Sequence, residues 1–164
     1  MNEKTTKILT VISITVVAVF LIAALVIVIV RNNKPEGYVN PTFDEGCTAI
    51  NFEEAPGNKV GVTDGFTVAV PNAISGDKNG INVCFASAPD NKGNIKLELI
   101  DDNGNIVAES GLIKPGEYLE TVSKVYKKNL PKNDCEITIK VLTYEPETYV
   151  SLGSCTFKVK FVCN

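Results

Sequence analysis

The sequence predicts an all-β domain, an immunoglobulin-like or fibronectin-like antiparallel sandwich of seven to eight strands, preceded by one transmembrane helix. Two observations carry this. From Cys47 onward the apolar residues recur at every second position in short runs bounded by Gly, Pro, Asn or Asp, and no stretch there has helical period. Ahead of them, Ile8 to Val30 contains no charged residue at all.

As a helix at 1.5 Å per residue, the run 8–30 spans about 34 Å, enough for a hydrocarbon core of about 30 Å. Inside lipid a single segment satisfies its own backbone groups only as a helix, whatever the β propensity of its valines and isoleucines. A cleaved signal peptide is the alternative, but its apolar core is shorter and ends at small residues. Here Ala23 and Ala24 are followed by six more apolar residues. The reading divides the chain into a cytoplasmic head at 1–7, a transmembrane helix at 8–30, a linker at 31–43 and an extracytoplasmic domain at 44–164. The linker is polar and holds Pro35 and Pro41. Basic residues flank both ends of the helix, so charge alone leaves the orientation tied.

The cysteines break that tie. All five, Cys47, Cys84, Cys135, Cys155 and Cys163, follow the apolar run and none stands in a C-x-x-C pair. Disulfides persist in oxidising compartments, which places the domain outside the plasma membrane with the N-terminus inside. With 16 Lys and Arg against 19 Asp and Glu, the chain is net −3 and lacks the basic balance of a nucleic-acid binder. It has no histidine. Ser-His-Asp and Cys-His nucleophile pairs are thereby excluded, and zinc would need four scattered thiolates. No glycine-rich nucleotide loop is present, and no cofactor is expected.

Taken in order, the strands expected are Cys47 to Glu53, Phe66 to Val70, Ile81 to Ser87, Ile95 to Asp101, Asn105 to Glu109, Glu117 to Lys127, and a final pair from Cys135 and Cys155. Between the fourth and fifth, a two-residue Asn-Gly turn would set Glu98 against Glu109, a like-charge pair. A three-residue loop with Gly104 left-handed and a following bulge sets Val107 opposite Leu99 instead, and is preferred. In the last pair, Cys135, Ile137, Ile139 and Val141 share one face, as do Cys155, Phe157, Val159, Phe161 and Cys163. Aligning the faces with Thr143 opposite Cys155 brings Cys135 opposite Cys163. Cys135–Cys163 is therefore the preferred disulfide, with Cys47–Cys84 as the second and Cys155 left free.

Two surface features suggest binding. The connection Tyr144 to Ser154 displays Tyr144, Tyr149, Val150 and Leu152, apolar and aromatic groups of the kind that anchor protein interfaces. Lys124, Lys127, Lys128 and Lys132 form the one basic cluster, which suits an anionic wall polymer or glycan; as a plain reading, they guard an exposed strand end. The segments Ile100-Asp101-Asp102-Asn103-Gly104, Ser110 to Gly116, Ile137 to Tyr144 and Thr148 to Gly153 resemble small membrane-anchored, Ig-like β-sandwich surface proteins of Gram-positive bacteria. The resemblance covers about Ile81 to Val162 and implies a bacterial surface module with no catalytic activity. Residues and resemblance together lead to a membrane-anchored interaction module that meets another protein of the envelope, or alternatively a wall-glycan or polyanion binder.

Overall fold

The structure, a computed structural model, describes residues 41–63 and 65–163. The expected head at 1–7, the expected helix at 8–30 and the linker up to residue 40 lie outside the described residues. Among the described residues no helix is long and apolar enough to cross a membrane.

The domain is all-β. Its eleven strands are β1 (Cys47–Ala49), β2 (Asn58–Thr63), β3 (Phe66–Val70), β4 (Ala73–Asp77), β5 (Gly80–Ser87), β6 (Asn94–Ile100), β7 (Ile106–Ile113), β8 (Glu117–Val122), β9 (Lys124–Val125), β10 (Cys135–Tyr144) and β11 (Ser151–Cys163). They form one curled, hydrogen-bonded sheet in the order β1-β8-β5-β4-β11-β10-β6-β7-β9, with β3 pairing β5 and β2 pairing β3. The expectation of seven to eight antiparallel strands thus gives way to eleven in a mixed sheet. Among the described residues the one parallel pair of strands is β11 with β4, Lys160 beside Ala73 through Cys163 beside Gly76.

Strands β3 and β4 run along opposite ends of β5, and Pro71-Asn72 separates them. Proline donates nothing to a ladder, so the pairing changes hands here: β2 lies along β3, while β11 lies along β4. Inward residues from the curled sheet fill one core. Phe85, Phe161, Ile81, Ile95, Leu97, Leu99, Ile113, Leu119, Ile137 and Ile139 are wholly buried in it. Each such side chain contributes about 1.5–3 kcal/mol on leaving water. On the other face of the sheet, Phe52 and Ala55 cover Ala69, Ala86 and Ala88 in a small second cluster. Phe52 stands in a 3-10 turn (Phe52–Glu54) capped by Asn51, so the first expected strand stops at Ala49 instead of reaching Glu53.

The chain enters the fold earlier than the linker reading allows. Leu112 N–H donates to Thr42 O at 2.8 Å, Asp44 N–H donates to Leu112 O at 2.9 Å, and Gly111 N–H donates to Asp44 Oδ2 at 2.8 Å. Residues 42–44 are thereby tied to β7.

Between β6 and β7 the loop has the expected form, with Gly104 at φ +82° and Asp101 N–H bonded to Asn105 O. Asp101 carboxylate oxygens accept from Asn103 N, Asn105 N and Asn105 Nδ2, which fixes the turn. A bulge follows, but one position away from expectation: Leu99 pairs with Ala108, and Glu98 pairs with Glu109 after all. In the last hairpin the register is displaced by two residues. Val141 faces Cys155 and Cys135 faces Phe161, so Cys163 lies two positions beyond the partner of Cys135.

Candidate functional site

The longest hairpin of the domain, β10–β11, ends in a closed tip. Glu145 N–H donates to Val150 O at 2.9 Å and Tyr149 N–H to Glu145 O at 3.1 Å. Thr148 Oγ1 donates to the Glu145 carboxylate and accepts from Val150 N at 3.3 Å. Pro146 opens the turn and Tyr149 closes it in the left-handed region, φ +55°. Few non-glycine residues adopt that conformation, which is held here by the hydrogen bonds on either side. The connection, long for a hairpin when read from Tyr144 to Ser154, is shortened to a braced turn because β11 begins at Ser151.

This turn sorts the four expected binding residues. Tyr144 belongs to the β10 ladder, half-buried opposite Asn94, and Tyr149 is half-buried at the turn. Val150 and Leu152 are thrown outward, 59% and 49% exposed, more than any other large apolar side chain among the described residues. Leu152 gains this exposure from an irregularity in the ladder, where Thr143 pairs with Gly153 but Tyr144 with Ser151. The structure leaves Val150 and Leu152 exposed and the two tyrosines half-buried.

Of the four expected lysines, one is paired and three are exposed. Lys124 is spent on Glu109, whose carboxylate it meets directly, and that hydrogen bond raises its pKa. Lys127, Lys128 and Lys132 are exposed residues of the β9–β10 connection. Lys128 borders a cleft of about 400 Å³ together with Asp101, Asp102, Leu130, Cys135 and Glu136. Three carboxylates against one ammonium make this cleft acidic, the wrong sign for a polyanion. Hydrogen bonds from Asn105 hold Asp101 below the usual carboxylate range.

The disulfide expectations are corrected by position. All five cysteines are free thiols. Cys47 pairs with Leu119 on β8, and Leu119 in turn pairs with Phe85 on β5, so Cys47 and Cys84 are two strand spacings apart, about 10 Å. They also face different ways: Cys47 packs on the core, whereas Cys84, at φ +41° in a β5 bulge, gives its thiol to Asn82 Oδ1 at 2.8 Å on the solvent side. Cys135 and Cys163 are diagonal neighbours, a relation that separates Cα atoms by more than the directly opposed pair the disulfide required.

Thiol chemistry is subdued at Cys47, Cys155 and Cys135. Burial, then the charges of Glu117 and Asp44, push Cys47 up to about 12. Burial also raises Cys155, and burial with Asp102, Asp101 and Asp134 raises Cys135. A protonated thiol is a poor nucleophile and a poor metal ligand. Among the described residues no group of three or more Cys, Asp or Glu is arranged to hold a metal ion.

One feature of this hairpin escapes a reading by motif. Strand β11 has thirteen residues, and β4 takes up its second edge only from Lys160 to Cys163. From Ser151 to Val159 that edge pairs with no described strand. The signal in the sequence is Ser151 to Phe157, seven residues with neither charge nor proline.

No protein-family model, curated protein or solved structure matches this chain.

Proposed function

We propose that the domain is a non-catalytic interaction module whose contact point is the tip of the β10–β11 hairpin. Val150 and Leu152, both exposed at a braced turn, carry the reading. Apolar groups held this way lose little conformational freedom on docking, which is what an anchor residue requires. The fitting partner is another protein with an apolar recess.

In this reading the apolar run 8–30 anchors the chain in the plasma membrane, and the curled sheet serves outside it as an Ig-like scaffold that holds the tip towards the cell envelope. The bacterial surface resemblance of Ile81 to Val162 supports the same setting. A polyanion role through Lys127, Lys128 and Lys132 has an acidic cleft beside it.

The test is photo-crosslinking in intact cells with a benzophenone amino acid in place of Val150. A discrete adduct that disappears in Leu152→Glu, while the same probe at exposed Lys132 gives none, supports the tip as the contact. Equal labelling at both positions, or none at Val150, removes it.

A further inference from the structure

We infer that the open edge of β11 is a self-association site, pairing antiparallel with the same edge of a second copy of this chain about a two-fold axis at Cys155. The backbone directions come first. Lys160 N–H points away from β10, to Asn72 O at 3.3 Å, whereas Cys163 N–H points the other way, to Asp134. Alternate residues share a direction along a strand, so Ser154, Thr156 and Lys158 aim their N–H and C=O groups at the open edge.

Other margins of the sheet are short, as in β1 with three residues and β9 with two, or charged, as in β2 with Lys59. Strand β2 approaches β11 without pairing with it, and no charge or proline guards the edge between Ser151 and Phe157. The core is also unfinished there. Cys155 and Phe157 pair with the fully buried Val141 and Ile139 and pack on the core, yet stay only half-buried themselves. An adjoining strand would cover them.

A second copy fits this edge by its own sequence. With the axis at Cys155, Ser154 of one copy meets Thr156 of the other, and Gly153 meets Phe157, an aromatic ring laid over the glycine that leaves room for it. No two charges are opposed, whereas an axis at Lys158 would oppose two ammonium groups and run into β4. The arrangement is isologous and closes as a dimer. Cys155 faces its own copy at a non-hydrogen-bonded position, where Cα atoms are about 4.5 Å apart and within disulfide reach.

The inference rests on β11 and is independent of the Val150 contact. Its test uses the full-length chain purified in detergent and oxidised briefly with copper phenanthroline, the added oxidant taking two electrons and two protons from each thiol pair. The expected result is a dimer on non-reducing gels that is lost on reduction and in Cys155→Ser, but kept in Cys84→Ser and in Val150→Glu. Light scattering of the unoxidised chain should give two copies, and one copy for Thr156→Pro, which removes an N–H that β10 does not use. Ser154→Lys combined with Thr156→Lys adds only solvent-facing charge and should also give one copy. A monomeric wild type, a dimer cross-linked through another cysteine, or a dimer that survives the paired lysines would overturn the inference. So would an adduct of a mass other than two copies.

Discussion

Glu98 on β6 and Glu109 on β7 stand directly opposite each other, two carboxylates 16% and 12% exposed, yet the pair is stable in its setting. Lys140 on β10 faces Glu98 and bonds it at 3.1 Å; Lys124 on β9 faces Glu109, and Lys96 reaches Glu109 at 2.5 Å. Two carboxylates flanked by two ammonium groups thus cross four adjacent strands. Burial alone would push the Glu109 carboxyl up, but hydrogen bonds from Lys124, Lys96 and Tyr126 outweigh it and hold it down to about 2. Because the folded value lies below the ordinary 4.5, the stability this group supplies is complete above 4.5 and is lost as pH falls towards 2. Urea unfolding should therefore show a drop across that window in wild type that is reduced in Glu109→Gln. At neutral pH Glu109→Gln should cost about 2 kcal/mol, since it breaks charge-assisted bonds, and Glu98→Gln under about 1 kcal/mol, since it also relieves the repulsion. Equal costs for the two would refute the asymmetry.

Ser110 repairs a break in the same pair of strands. The ladder is irregular between Lys96 and Glu98, and the N–H of Leu97, wholly buried between them, is accepted by Ser110 Oγ at 2.8 Å. Ser110 in turn donates to Gly111 O. Ser110→Ala should leave that N–H unsatisfied in the core and destabilise the domain by about 1–3 kcal/mol, with the Leu97 amide losing hydrogen-exchange protection beyond its neighbours. A cost near zero would mean that Leu97 finds another acceptor.

How far these features were legible depends on whether a residue's neighbours are close in sequence. Period-two alternation marks Ile95, Leu97 and Leu99, or Ile137, Ile139 and Val141, as inward residues, and all six are buried. Alternation is blind to a slip of two, however, because such a slip keeps every side chain on its face. The last hairpin slipped by that amount: apolar matching alone cannot tell Phe161 from Cys163 as the partner of Cys135, and the Glu145–Val150 closure decides it. The Glu98–Glu109 pairing looks excluded in sequence because two of the three lysines that stabilise it, Lys124 and Lys140, come from strands outside the β6–β7 hairpin. Strand β4, Ala73–Asp77, has a single large apolar residue, Ile74, and owes its place to a parallel partner over eighty positions away. Of the binding residues, Val150 and Leu152 kept the exposure expected of them; their separation from Tyr144 depended on where the turn closed.

Cys47 gives a chemical check on how β1 is docked. Its thiol packs on the core beside Leu119, and burial, followed by Glu117 and Asp44, raises its pKa from 9.0 to about 12. At pH 8 its reactive thiolate is then about a thousandfold scarcer than in the unfolded chain, where the shift is absent. Iodoacetamide should accordingly modify Cys47 in the native protein far more slowly than in urea, by a factor of that order, as peptide mass mapping would report. The sign of the linked stability also follows. Above pH 9 the unfolded thiol gives up its proton while the folded one keeps it, so this group favours unfolding increasingly as pH climbs towards 12. Since burial is the leading cause, Glu117→Gln should recover only a small part of the lost reactivity, whereas Leu119→Ala, which opens the packing beside the thiol, should recover more. Native Cys47 reacting as fast as it does in urea would show that β1 does not hold its place against β8.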